Sequence, residues 1–393
     1  MRFSTSLTVV CAALTAAQPV VAQAVDAAQP VSEGPSAAPY QPQDGLELGL
    51  WMEMEEAERD LRTSQLLIHD PALNDYVRGV LCRTVGEACR NVRLYLVRTA
   101  NFNASMAPNG AMQIWSGLLL RTQNEAQLAA VLAHEYVHFE ERHSVELFRE
   151  AKSKSATAAW LAFTGIGLIA SFGLIGSVFK FSREQETEAD LVGLRKLAAA
   201  GYDTREAAVI WEQLRDEMDA TAAARGTKSR KDKSGGLYAT HPPSAERVAY
   251  LRREAGVVPG VGGETGADRY RAAMARWWPL FVDDQLKTND FGASAFLLDS
   301  IADAGGMAPW ISYARGELYR RRAGAGDMEQ AAGQFSQAIA AGGELPELWR
   351  GRGLALLRLG RAAEGRSDLR EYLARAPEAA DRGLITMMSG GIE

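Results

Sequence analysis

Apolar residues recur at helical spacing from the first segment able to fold. Over residues 46–68, Leu50, Met54, Ala57 and Leu61 fall three or four apart among glutamates and arginines, which predicts an amphipathic helix closed by Asp70-Pro71. A second helix is predicted over 72–84. The period then shortens to two: Val92, Leu94 and Leu96 form one alternating run, Met112 and Ile114 another, with the turn signal Pro108-Asn109-Gly110 between them. This predicts a small sheet. Thr122, with Glu125 three residues on, has the spacing of a capping box opening a long helix through Arg149, and two more helices are predicted over 182–200 and 204–224.

A glycine-rich stretch, 255–267, predicts a linker to a helical tail, 268–393. Within the tail Trp349, Gly353, Leu356, Gly365, Leu369 and Pro377 fall at the offsets of a tetratricopeptide repeat, whose period is about 34 residues. A looser copy holds Gly316, Tyr319, Ala331, Phe335 and Ala338 and fits with about three extra residues near 323–327. A non-repetitive helical bundle is the competing reading. The expected fold class is α+β: a mainly helical domain with a small sheet over 46–254, followed by an all-α domain.

The N-terminus changes the compartment. Arg2, an apolar run over 7–17 and Ala22-Gln23-Ala24 make residues 1–24 a cleavable export signal, and the Pro, Gln and Ala of 25–45 predict a disordered linker. Val10 before Cys11 is too large for a lipoprotein signal, so a soluble exported product is expected. In an oxidising compartment Cys82 and Cys89 are expected to form a disulfide, the alternative being two buried thiols. A net charge of −6 argues against nucleic-acid binding, and the basic run 225–233, broken by Gly226 and Asp232, reads as a solvated loop.

The chemistry sits in His134-Glu135-Tyr136-Val137-His138. Histidines four apart lie on one helical face and can meet a single metal ion, with Glu135 beside its water. Zinc lowers the pKa of such a water towards about 7, and the carboxylate can take the proton and hand it to the leaving amine. The apolar flank 128–133 buries this helix, so its polar side chains need partners. A third ligand is expected on another helix. Glu186 and Asp190, four apart, fit: Glu186 as ligand, Asp190 holding a ligand histidine from behind. Glu184 and Glu188 are expected to point elsewhere, solvated or paired with Arg183 and Arg195. His143, five residues past His138, would lie well round a continuous helix and is assigned a structural role, and His69 a surface one.

These segments, with Ser182-Arg183 before Glu186-Thr187-Glu188-Ala189-Asp190 and with Thr240-His241-Pro242-Pro243 and Arg247 after, resemble the zinc metallopeptidases that include HtpX and the CAAX prenyl endopeptidases. With the export signal and the helical tail, the layout is similar to the periplasmic, BepA-like branch of that family. The resemblance implies one zinc per chain held by His134, His138 and Glu186, with Arg247 supporting from behind. It also implies a substrate-pairing edge strand at Asn103-Ala104, which would select extended polypeptide. It puts His241 at the zinc, as a fourth ligand latching the site or as an oxyanion stabiliser; Pro242 stiffens the segment and the latch is favoured, while capping of the next helix is the structural alternative.

Residues 156–179 carry no charge over 24 positions, enough to span a bilayer. His138 and Glu186 flank them yet must reach one metal, so a flap, buried or in peripheral membrane contact, is expected instead of a span. The predicted function is an endopeptidase for misfolded or misassembled envelope proteins, with chaperone activity through the repeats. The alternative is a binding module, docking through its repeats to outer-membrane assembly machinery, with a latent zinc site.

Overall fold

The computed structural model describes residues 42–153, 181–232, 241, 243–258, 262–303, 305 and 308–391. The expected export signal, nearly all of the 25–45 linker, the apolar stretch 156–179, Thr240 and Pro242 lie outside the described residues. Among the described residues no helix is long and apolar enough to cross a membrane.

Helix α1 (Gly45–Arg62) opens on Asp44, whose side chain accepts from the Glu47 amide, and α2 (Pro71–Val85) on Asp70, with Pro71 in the first turn, where its missing N–H costs nothing. A 3-10 turn, Gly86–Asn91, then carries Cys89 back to Cys82, and the two are disulfide-bonded. Three strands follow: β1 (Arg93–Val97), β2 (Ala104–Met106) and β3 (Ala111–Trp115), in the order β1-β3-β2, with β1 parallel and β2 antiparallel to β3. The predicted turn joins β2 to β3. Gly110 there has φ +92°, and a Cβ would come within 2.7 Å of the Asn91 carbonyl, so only glycine fits. One sheet face puts Leu94, Leu96, Met112 and Ile114 into the main core; the other puts Tyr95, Val97 and Ala111 against Leu61 of α1.

The long helix expected from Thr122 to Arg149 is three elements. A short α3 (Ser116–Arg121) ends at Thr122, whose hydroxyl donates to the Leu118 carbonyl, and the cap of α4 (Glu125–Glu140) is Asn124, accepting from the Gln127 amide at 2.9 Å. Glu125 cannot close a capping box because its carboxylate accepts from Tyr76 and Tyr202 and pairs with Arg269. At the far end α4 stops at Glu140. Arg142 takes a left-handed φ of 60°, its guanidinium 2.5 Å from the buried Glu47, and α5 (His143–Ser153) leaves in a new direction.

Helices α6 (Arg183–Ala199), α7 (Glu206–Ala224) and α8 (Ala245–Ala255) pack around α4 or its partners. Residues 262–267 of the expected linker do not act as a spacer. The Glu264 amide donates to the Gly201 carbonyl, its own carbonyl accepts from Asp203, and the Thr265 carbonyl accepts from Ala126 at the head of α4. Helices α9 (Ala267–Met274), α10 (Trp278–Lys287), α11 (Phe291–Asp303) and α12 (Ala308–Arg322) then extend the same core through Tyr270, Phe281, Leu298 and Leu318. Buried polar ties reinforce the contact: Arg121 meets Glu217 at 2.6 Å and Gln285 at 3.0 Å. The tail continues as α13 (Asp327–Ala340), α14 (Glu347–Arg358), α15 (Ala362–Arg375) and α16 (Arg382–Met388), each packed on its predecessor. Residues 323–326 form the α12–α13 turn, where Ala323 and Gly326 are left-handed. The result is a mainly helical α+β architecture around one small sheet.

Candidate metal centre

Helix α4 is buried along nearly its whole length, and its i, i+4 spacing presents His134 and His138 side by side, their Nε2 atoms 3.2 Å apart. Helix α6 supplies the opposing face. It starts with a complete capping box, Ser182 with Gln185, and can approach α4 closely because residue 193 is glycine; a Cβ there would stand 3.3 Å from the His134 amide. That approach brings Glu186 within 3.6 Å of both His134 Nε2 and His138 Nε2. His241 closes the fourth side, its Nδ1 3.2 Å from His134 Nε2 and 2.9 Å from Glu186 Oε1. Ligand atoms of these four residues all lie within 4.8 Å of one another.

The donor set fits a tetrahedral cation. With ligand bonds of 2.0–2.2 Å, neighbouring ligand atoms should stand about 3.4 Å apart, and the observed separations scatter around that value. His134 Nδ1 lies 2.8 Å from Asp190 Oδ1, which places its proton there and leaves Nε2 as a bare lone pair. Two further ring nitrogens face that lone pair, and Glu186 Oε1 is buried beside His241 without the geometry of a hydrogen bond. A cation among them resolves all of these contacts at once.

A ring of support surrounds the four. Arg247, on the first turn of α8, donates to both oxygens of Asp190 at 2.7 and 2.6 Å and stacks 3.7 Å above the Trp211 ring of α7. The Tyr250 hydroxyl, one turn on, also donates to Asp190. Phe181 stacks on the His138 ring at 3.9 Å. Burial opposes charge on Asp190, but Arg247 and His134 outweigh it and hold the carboxyl well below the ordinary range. The same contest at Glu186, against burial and with His241 and His134 facing it, also ends in a lowered pKa. Burial keeps the His138 ring neutral, its pKa well below the usual value. Glu135 is pushed up by burial, and its Oε1 lies 3.5 Å from His241 Nε2. His241 itself is raised: burial works against its charge, and Glu186 with Glu135 outweigh burial.

The structure brings together His134, Glu135, His138, Glu186, Asp190, His241 and Arg247. Asn103 and Ala104 are buried at the start of the edge strand β2, which packs beside α4; the Asn103 carbonyl accepts from the Trp115 amide, and Ala104 stands opposite Ile114. One expectation needs correction. His143 does not lie round the helix from His138: the break at Arg142 turns it back, so that the two Nδ1 atoms stand 2.8 Å apart. Glu188 is exposed and stands outside the four converging residues, as expected, and its partner is His143, whose Nε2 lies 3.4 Å from Glu188 Oε2. Tyr250 and Phe181 were not anticipated; Tyr250 could have been found from its place three residues beyond Arg247 on one helical face.

Residues 71–255 match the model described as Peptidase family M48. The beta-barrel assembly-enhancing protease of Escherichia coli (strain K12) is 27% identical over 249 residues, covering 58% of this chain and 49% of that protein. Its Vibrio cholerae counterpart is 29% identical over 280 residues, 66% of this chain and 54% of that protein. The mitochondrial metalloendopeptidase OMA1 of Schizosaccharomyces pombe is 34% identical over 179 residues, 44% of this chain and 50% of that protein. The chain thus spans about half the length of these relatives. The matched segment contains every residue of the centre described above, and residues 71–255 are a domain of peptidase family M48.

Proposed function

We propose that this chain is an exported, periplasmic zinc metalloendopeptidase that cleaves misfolded or misassembled envelope proteins. The observation that carries the reading is the convergence of His134, His138, Glu186 and His241 on one point, with Glu135 at its rim. His134, His138 and Glu186 would hold the zinc. When bound, zinc supplies a Lewis acid that acidifies water and polarises the scissile carbonyl. Glu135 takes the proton released in the attack and delivers it to the departing amine, and its burial raises its proton affinity for that exchange. Asp190 holds the His134 proton on Nδ1, and Arg247 holds Asp190. The unfolded substrate would align along β2 at Asn103-Ala104, the edge of the sheet, where backbone pairing accepts many sequences.

The likeness to beta-barrel assembly-enhancing proteases supports a role beside outer-membrane assembly machinery. The tail helices α12 to α15, read as two tetratricopeptide hairpins, are the proposed docking and chaperone element. Glu135→Gln is the test. Cleavage of an unfolded protein should fall by about 10²- to 10⁴-fold with zinc still bound; unchanged cleavage would reject the enzyme reading in favour of a binding module.

His241 is proposed as a fourth ligand that latches the resting site, a reading supported by its place among the other three ligands and against Glu135. A site with four protein ligands is closed. His241→Ala should raise basal cleavage and self-cleavage while zinc stays on the remaining three. A large fall in turnover with zinc bound would assign His241 to the transition state instead.

A further inference from the structure

His138 has two nitrogens and both are engaged. Nε2 faces the centre, 3.2 Å from His134 Nε2, whereas Nδ1 stands 2.8 Å from His143 Nδ1. Two Nδ1 atoms at that distance share one hydrogen, so one ring donates and the other accepts. If His138 binds a metal through Nε2, its proton must sit on Nδ1, and His143 must accept it. The proton of a neutral His143 is then on Nε2, which lies 3.4 Å from Glu188 Oε2. Each hydrogen has one place.

Resting on the reading that His138 is a zinc ligand, we infer that His143 and Glu188 form a positioning relay that fixes the tautomer and ring orientation of His138. The two ligand histidines are thus held differently, His134 by the carboxylate of Asp190 directly and His138 by a carboxylate acting through a second imidazole. The fold secures the relay. His143 is buried, and the left-handed Arg142 that turns it towards His138 is held by Glu47 of α1. Partners behind a metal ligand raise its basicity and typically account for 10- to 100-fold in affinity.

The experiment measures zinc affinity of the full chain by competition with a chelator, alongside the ¹⁵N shifts of the imidazoles. His143→Leu, which keeps bulk but accepts no hydrogen bond, should weaken binding about 10- to 100-fold. His143→Asn, whose amide oxygen can accept, should recover most of it. Glu188→Ala, at a half-exposed site, should give a smaller loss and leaves the relay testable if His143→Leu does not fold. The shifts should place hydrogen on His138 Nδ1 and His143 Nε2. Wild-type affinity in His143→Leu, equal losses in the Leu and Asn variants, or the opposite tautomers would overturn the relay. A wild-type chain that binds no zinc would instead overturn the metal reading beneath it.

Discussion

Elemental analysis of the purified chain should find one zinc, and a His134→Ala, His138→Ala double variant should hold none and lose proteolysis with it. The magnitude follows from the donor set. A catalytic zinc site has three protein ligands, and this variant would leave Glu186 and His241, which already face one another at 2.9 Å and can satisfy each other as an ion pair. Nothing would then draw a cation into the pocket. The fold should survive, because the core around α4 rests on Leu128, Val131, Leu132 and Val137 and not on the two imidazoles. Circular dichroism of the double variant should match wild type. Full zinc occupancy would sink the assignment.

How much of this was legible in the sequence depends on the range of the interactions. Local spacing was enough for His134 with His138 and for Glu186 with Asp190, because both pairs are i, i+4 on single helices. The turn at Gly110 was equally local. The approach of α6 to α4 rests on Gly193, which in the sequence is only one more glycine within a helix. The break at Arg142 had no local signal at all: Glu140-Glu141-Arg142 suits a helix, and what stabilises the left-handed residue is Glu47, on a helix near the chain's beginning. Misplacing that one break hid the contact of His143 with His138. Residues 262–267 of the glycine-rich stretch are packed for a related reason. Glycines that look like a flexible spacer serve here to let Gly263 lie against Gly201 and Tyr202, where a Cβ would come within 2.6 Å. His241 and Arg247 were reached through a family likeness, since no periodicity ties them to α4.

Arg247→Met should be the most destabilising single change at the centre. The guanidinium is buried and bonded through two nitrogens to Asp190, and its plane lies on Trp211. Methionine fills part of the space but leaves the Asp190 carboxylate buried with only His134 and Tyr250 to answer it. Removing one partner of such a pair costs about 3–5 kcal/mol, chiefly from the charge left behind. Arg247→Lys should fall between, because an ammonium can neither donate the parallel pair of bonds nor stack. The double variant Arg247→Met, Asp190→Leu separates stability from function. With both charges gone the penalty disappears, and replacement of a buried pair by apolar side chains is often neutral or stabilising. Urea unfolding of the zinc-free proteins should therefore place the double variant above Arg247→Met. Its zinc affinity should not recover, since His134 no longer has a carboxylate to hold its proton on Nδ1. A double variant that regains stability and zinc affinity together would mean that Asp190 and Arg247 serve packing alone.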